Sequence, residues 1–338
     1  MHYPPEPIQV EWDSMRSRRL LLLLVLGFLA INFPVLAQSA KKVYRLGILS
    51  PGSGVIERMS RTTVPELAKL GFSEGQNLVF VTRSGAREQL PDLAREVAAA
   101  GPDAVIAVSG SAIRAMRQAA PTVPIIGAFI GEDPIAAGFA SSLSHPGGTI
   151  TGIVMLAPEL DAKRLFLLRE AAPSGRRVAA LAVNATRDTP NLVALKEAAA
   201  QAGVELLPFY AARKEEYPSV FAAMRAAGAE SLEIISAPEL YSDAALLAKL
   251  AADTGLPAIC EWAEMAHSGC LLGYGPDYTE LQHRVAGYVA RIFRGASPGD
   301  LPIEGPTHFQ FAINLKTAAS LGLAIPQSIL ARADEVIE

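Results

Sequence analysis

The side chains that most often carry covalent or metal chemistry are scarce in this sequence. Its 338 residues include two cysteines, Cys260 and Cys270, and five histidines. No C-x-x-C, H-E-x-x-H or G-x-x-x-x-G-K-[ST] string occurs, and no G-x-S-x-G sits in a strand-to-helix elbow. Thiol-redox, zinc-protease, phosphate-loop and serine-hydrolase chemistry therefore lack their usual parts. His145, His267, His283 and His308 stand in unrelated contexts without metal-ligand spacing, so no metal site and no cofactor are expected. Gly52-Ser53-Gly54 follows an apolar run, but Glu57 occupies the place of the third glycine of a dinucleotide fingerprint, leaving a simple loop. Excess charge is also missing. The formal net charge is −4, which gives no nucleic-acid footprint.

What is present begins with an address. Arg16, Arg18 and Arg19 precede the apolar run Leu20 to Ala30, and Val35-Leu36-Ala37 supplies small residues for cleavage, so residues 1–37 read as a secretory signal peptide. The run is shorter than the roughly 20 apolar residues of a membrane span. Met1 and Met15 both remain as start sites. The expected location is the periplasm. In that oxidising compartment Cys260 and Cys270 either pair or pack as two small buried hydrophobes.

From Val43 onward, short β-rich runs alternate with helical patterns. Val43–Leu49, Leu78–Thr82, Ala104–Val108 and Ile125–Ile130 read as strands, with helices over Ile56–Leu70, Leu90–Ala100 and Ser111–Ala119 between them. After a Pro146-Gly147-Gly148 turn that leads into another β-branched run, the alternation restarts. A helix over Leu160–Ala172 precedes strands at Val178–Val183, Glu205–Tyr210 and Leu232–Ser236, with helices at Leu192–Ala202, Ser219–Ala227 and Asp243–Thr254. Cys260, Leu271–Tyr274 and Phe309–Ile313 are later strand candidates, and Tyr278–Phe293 is an amphipathic helix. Strands apolar on both faces and joined by helices make parallel sheets covered on both sides. The pattern implies an α/β chain of two doubly wound parallel-sheet lobes with a ligand cleft between them, and such sheets bind at the carboxyl ends of their strands.

Short polar residues collect where those strands end. In the first half these are Ser50, the trio Ser109-Gly110-Ser111 at a helix start, and Asp133; in the second they are Asn184, Thr186, Glu239 and Glu261. Backbone N–H groups and hydroxyls at a helix start suit a ligand carboxylate, and Asp133 suits an ammonium. The same residues also serve as ordinary helix caps. Taken together they point to a small amino-acid-like ligand. Trp262 is either a cleft aromatic or core filling.

Several stretches go further. GFSEGQNLVF, EDPIAAGFASSLSHPGGTITGI, GCLLGYGPDY and the tail from Leu301 to Glu338 resemble the ABC-transporter substrate-binding protein family that includes tryptophan and tyrosine receptors, over nearly all of Lys42 to Glu338. The resemblance implies the type I periplasmic binding protein fold, with lobe one over residues 41–157 plus about 276–303 and lobe two over 158–275 plus about 304–338. It also implies a monomeric receptor that closes on its ligand and hands it to an ABC permease in the inner membrane. Two other readings stand beside it: a secreted α/β enzyme using Asp133, Glu239 or Glu261 for acid–base work, and a ligand-loaded partner of an extracellular sensor.

Overall fold

The computed structural model describes residues 1–3, 42–183 and 190–338. The leader expected over residues 1–37 falls almost wholly outside them, as do Asn184 and Thr186. The body from Val43 to Glu338 holds two sheets. Sheet one comprises β1 (Tyr44–Ser50), β2 (Leu78–Ser84), β3 (Ala104–Val108), β4 (Ile125–Ile130) and β5 (Ile150–Val154), all parallel, in the order β2-β1-β3-β4-β5. Sheet two contains β6 (Arg177–Ala182), β7 (Glu205–Tyr210), β8 (Ser231–Ile234), β9 (Ala258–Cys260), β10 (Leu272–Pro276), β11 (Phe309–Asn314) and β12 (Glu335–Ile337). Its order is β12-β11-β10-β9-β8-β6-β7, and only β11 against β10 is antiparallel. The five strands β7-β6-β8-β9-β10 thus repeat the winding of sheet one.

Burial follows position in the sheet. β3 (AVIAV) and β4 (IIGAFI) lie mid-sheet and are buried throughout, as helices on both faces require. The outer strand β7 carries Pro208, which removes a ladder donor and is tolerated at an edge. In sheet one the outer strand β5 is sheathed by the proline-rich return segment. Val154 N–H donates to Glu304 O at 2.9 Å, and Thr151 Oγ1 donates to Leu301 O at 2.8 Å. Gly147 N–H, in the sharp turn before β5, donates to Gly299 O at 3.1 Å. Within β5, Gly152 has φ of 142° and presses on the backbone of Gly127 in β4 so closely that any Cβ would collide with it.

The chain passes between the sheets three times: after β5 into the helix Ala157–Ala171, after β10 into the helix Tyr278–Phe293, and between Glu304 and β11. The late helix Tyr278–Phe293 packs on sheet one. Phe293 stacks on Tyr44 of β1 at 4.4 Å between ring centres, and Arg294 just beyond it reaches Leu70 O at 2.7 Å. The helix expected over Ile56–Leu70 is broken at Thr62 into Ser53–Arg61 and Thr63–Lys69. Cys260 and Cys270 form a disulfide with Cα atoms 6.2 Å apart. Among the described residues, no helix is long and apolar enough to cross a membrane.

Candidate functional site

The carboxyl ends of the two sets of strands face each other across a cavity of about 170 Å³. From sheet one, Ser109, Gly110 and Ser111 open the helix that follows β3, and Phe129 and Glu132 come from the end of β4 and just beyond it. From sheet two, Ser236 follows β8, while Glu261 and Trp262 follow β9. A strand-to-helix turn leaves backbone N–H groups and short polar side chains free at this end of each unit, which is why a doubly wound sheet binds there.

Two of these residues hold unusual backbones. Ser109 has φ of 77° and Phe129 φ of 59°, a left-handed conformation worth about 1–3 kcal/mol of strain for residues with side chains. Ser109 Oγ lies 2.9 Å from Ser111 Oγ. Between them Gly110 gives the Glu132 carboxylate the space a Cβ would fill, and both Glu132 oxygens accept from Arg114 Nη1 at 2.9 and 2.8 Å.

Four aromatic rings build one side of the cavity. Phe129 stacks on Tyr278 at 5.2 Å between centroids, and Tyr241 stacks on Tyr278 at 5.6 Å. Trp262 meets Tyr278 edge-on at 4.8 Å and Phe129 at 5.6 Å. Trp262 is therefore both a cavity wall and a core residue, since it is only 3% exposed. Edge-to-face and offset contacts of this kind fix ring orientation beyond simple burial.

Beneath Ser236 and Glu261 lies a buried ionic floor. The Arg164 guanidinium, fully buried, donates to Asp161 Oδ1 at 2.5 Å, Ser236 Oγ at 2.9 Å, Tyr274 O at 2.6 Å and Glu261 O at 2.9 Å. Asp161 also accepts from Asn191 Nδ2 at 2.9 Å and Ser236 Oγ at 3.1 Å. Arg164 thereby ties the ends of β8, β9 and β10 to one helix. Burial outweighs the Arg164 charge at Asp161 and raises its pKa. Burial, with the Asp161 charge adding to it, pushes the Glu233 carboxyl well above its ordinary range, and neither oxygen of Glu233 has a hydrogen-bond partner. Glu261 is pushed up to about 7, chiefly by burial.

Of the residues expected from sequence, Ser109, Gly110, Ser111 and Glu261 line the cavity. Ser50 does not: it is fully buried at the end of β1, where its hydroxyl accepts from Gly52 N–H at 3.3 Å. Asp133, expected to meet an ammonium, is exposed and outside the lining, and Oδ1 accepts from the N–H groups of Ile135 and Ala136 at 2.8 and 3.3 Å. It caps its own turn. Its neighbour Glu132 faces the cavity instead. Glu239 is also absent from the lining, because Arg87 engages both its oxygens, at 3.0 and 3.1 Å. That pair joins the segment after β2 to the helix Pro238–Ser242, so it spans the cleft. Arg58 and Glu264 make a second pair across it, at 3.1 Å. The enzyme reading loses two of its three carboxylates to these placements. The GASPG string at Gly295–Gly299 has G-x-S-x-G spacing but follows a helix, not a strand. Arg87, Arg114, Phe129, Asn191, Tyr241 and Tyr278 also line the cavity without having been singled out; three of them, Arg87, Phe129 and Tyr278, lie within three residues of a strand end.

Two α/β lobes of mostly parallel sheets that meet over a small cavity make up the architecture of two-lobed periplasmic-binding-protein-like folds. The chain belongs to the ABC transporter substrate binding protein family, whose model matches residues 61–337. It is 21% identical over 275 residues to the tyrosine-binding protein of Clostridioides difficile (strain R20291), covering 79% of this chain and 77% of that one. Among solved structures it superposes with a TM-score of 0.78 on a conserved domain protein of Vibrio cholerae, at 23% identity over 87% of this chain and 100% of the other. With the ABC domain in complex with L-Trp from Streptococcus pneumonia the TM-score is 0.76, at 22% identity over 86% and 100% of the two chains.

Proposed function

We propose that this chain is the periplasmic receptor of an ABC importer, binding a small, aromatic, amino-acid-like solute between its lobes and delivering it to an inner-membrane permease. The observation that carries the reading is the cavity itself, with four aromatic rings on one side and hydroxyls and a helix start at one end. Its volume is below the roughly 300–1,000 Å³ of sites for drug-sized molecules, which suits a single small solute. The relatives described as tyrosine-binding and L-Trp-bound support the aromatic preference. The Cys260–Cys270 disulfide supports an oxidising compartment, in keeping with a leader over residues 1–37.

In this reading lobe one (residues 41–157 with about 276–303) and lobe two (158–275 with about 304–338) turn about the three chain crossings. Ser109, Gly110 and Ser111 take the ligand carboxylate, and the aromatic group takes its ring. The binding is non-covalent, so closure is driven by the ligand's greater affinity for the closed form. Isothermal titration with an L-amino-acid panel tests this. Tryptophan or tyrosine is expected to bind at least about tenfold more tightly than alanine or serine, given the ring area buried; equal affinities, or turnover of the ligand, would reject it.

The Arg87–Glu239 pair acts as a latch for the closed form. Arg87→Ala leaves the Glu239 carboxylate without its cation and costs about 1–2 kcal/mol, so affinity is expected to fall roughly fivefold to thirtyfold. Small-angle scattering should show the ligand-free variant more open than the parent.

A further inference from the structure

We propose that Glu261 accepts the ligand's cationic group, and that binding such a ligand expels one proton from the site. This rests on the amino-acid reading above and adds to it which ligands are admitted at which pH. The geometry starts from Arg164. Four of its five N–H donors go to Asp161, Ser236, Tyr274 O and the main-chain oxygen of Glu261, so the guanidinium anchors the Glu261 backbone; its charge is felt at the Glu261 carboxylate, but the two make no ion pair. Among the described residues, no Lys, Arg or His lies within ion-pair distance of that carboxylate. Yet Glu261 lines the cavity, next to Trp262 and Ser236.

The groups around it explain why the carboxylate waits for a cation. Asp161 and Arg164 come from the helix Ala157–Ala171, Glu233 from β8, and Tyr241 from the helix Pro238–Ser242. Across the cavity stand Arg87 and the paired Arg114 and Glu132, and Glu264, further along the same loop, is held by Arg58. The floor thus holds three carboxyl groups, Asp161, Glu233 and Glu261, against one guanidinium. Ionising all three would leave excess negative charge in a low-dielectric site. Of the three, Asp161 is bound to Arg164 and Glu233 is sealed from the cavity, which leaves Glu261 to exchange its proton. Burial places that exchange at about pH 7. The step balances simply: the neutral Glu261 acid and the ligand ammonium become a carboxylate–ammonium pair, and the carboxylic proton goes to solvent. No covalent bond to the ligand forms or breaks.

The sign follows from linkage. An ionised-form binder is weakened by competition with protons below the midpoint and reaches its full affinity above it. With a midpoint near 7, affinity for L-tyrosine or L-tryptophan should rise about tenfold from pH 6 to pH 8, a range in which the free amino acids keep their ammonium. Titration calorimetry of the full chain in two buffers of different ionisation enthalpy should report up to one proton released at pH 6 and almost none at pH 8. The probe 3-(4-hydroxyphenyl)propionate, which keeps the carboxylate and lacks the ammonium, should show no such rise. Glu261→Gln should flatten the pH dependence for the amino acids and weaken binding at pH 8. Amino-acid binding by the parent that does not vary with pH, the same rise with the desamino probe, or an unaltered rise in Glu261→Gln would overturn the proposal and leave the receptor reading intact. Failure of every amino acid to bind at either pH would sink the receptor reading, and this proposal with it.

Discussion

Replacing Arg164 with alanine is expected to cost about 3–5 kcal/mol of folding stability, the range found when one partner of a buried pair is removed. The reason is the company it leaves behind. Arg164 is fully buried with Asp161, and Glu233 lies beside both. Removing the guanidinium also frees the ends of β8, β9 and β10, so ligand binding should fall with stability. The pH dependence of the loss separates charge from packing. Asp161 already has a raised pKa in the folded state, and loss of Arg164 raises it further. A carboxyl group raised by folding binds more protons folded than unfolded, so its cost grows as pH climbs above the unfolded value of about 3.9. The deficit of Arg164→Ala relative to the parent should accordingly be larger at pH 8 than at pH 5, measured by urea denaturation at each pH. A deficit that does not change with pH would mean that lost packing, not the stranded carboxylate, dominates.

Removing the Cys260–Cys270 bridge should cost about 2–3 kcal/mol, the loop-closure value for a ring of this length. The effect should not stop at stability. The ring encloses Glu261 and Trp262, so it fixes the loop that presents both to the cavity. Cys260→Ser with Cys270→Ser is expected to melt earlier than the parent by several degrees, and to bind its ligand more weakly. A melting temperature that stays the same, under reducing conditions or in the double variant, would show that neighbouring contacts already hold the loop.

Much of this molecule is legible in its sequence because apolar runs of strand length alternate with helical spacing. β3 and β4 match their expected limits residue for residue, since both are buried on two faces and bounded by turn residues. Short elements leave less trace in the sequence. The helix Pro238–Ser242 and the strand β12 have too few residues to show a period, and they depend on tertiary contacts. The site shows the same division. The place of Ser109, Gly110 and Ser111 on the cavity wall is legible because a helix start is a local event. Asp133 lies outside the lining because an Asp can also cap its own turn, whereas the adjacent Glu132 lines the cavity. Glu239 sits just beyond β8, in the helix Pro238–Ser242, but its partner Arg87 lies 152 residues away, beyond the reach of any local pattern. Arg164 is a charged residue in mid-helix with Asp161 three positions before it, which reads as an exposed pair until the sheet covers it.

The late arrival of the helix Tyr278–Phe293 has a consequence for biogenesis. It completes the packing of sheet one, yet it is made only after most of sheet two. A nascent chain that has produced β1 to β5 therefore keeps bare the apolar face this helix will cover, so the packing of sheet one is completed only when the chain has passed Phe293.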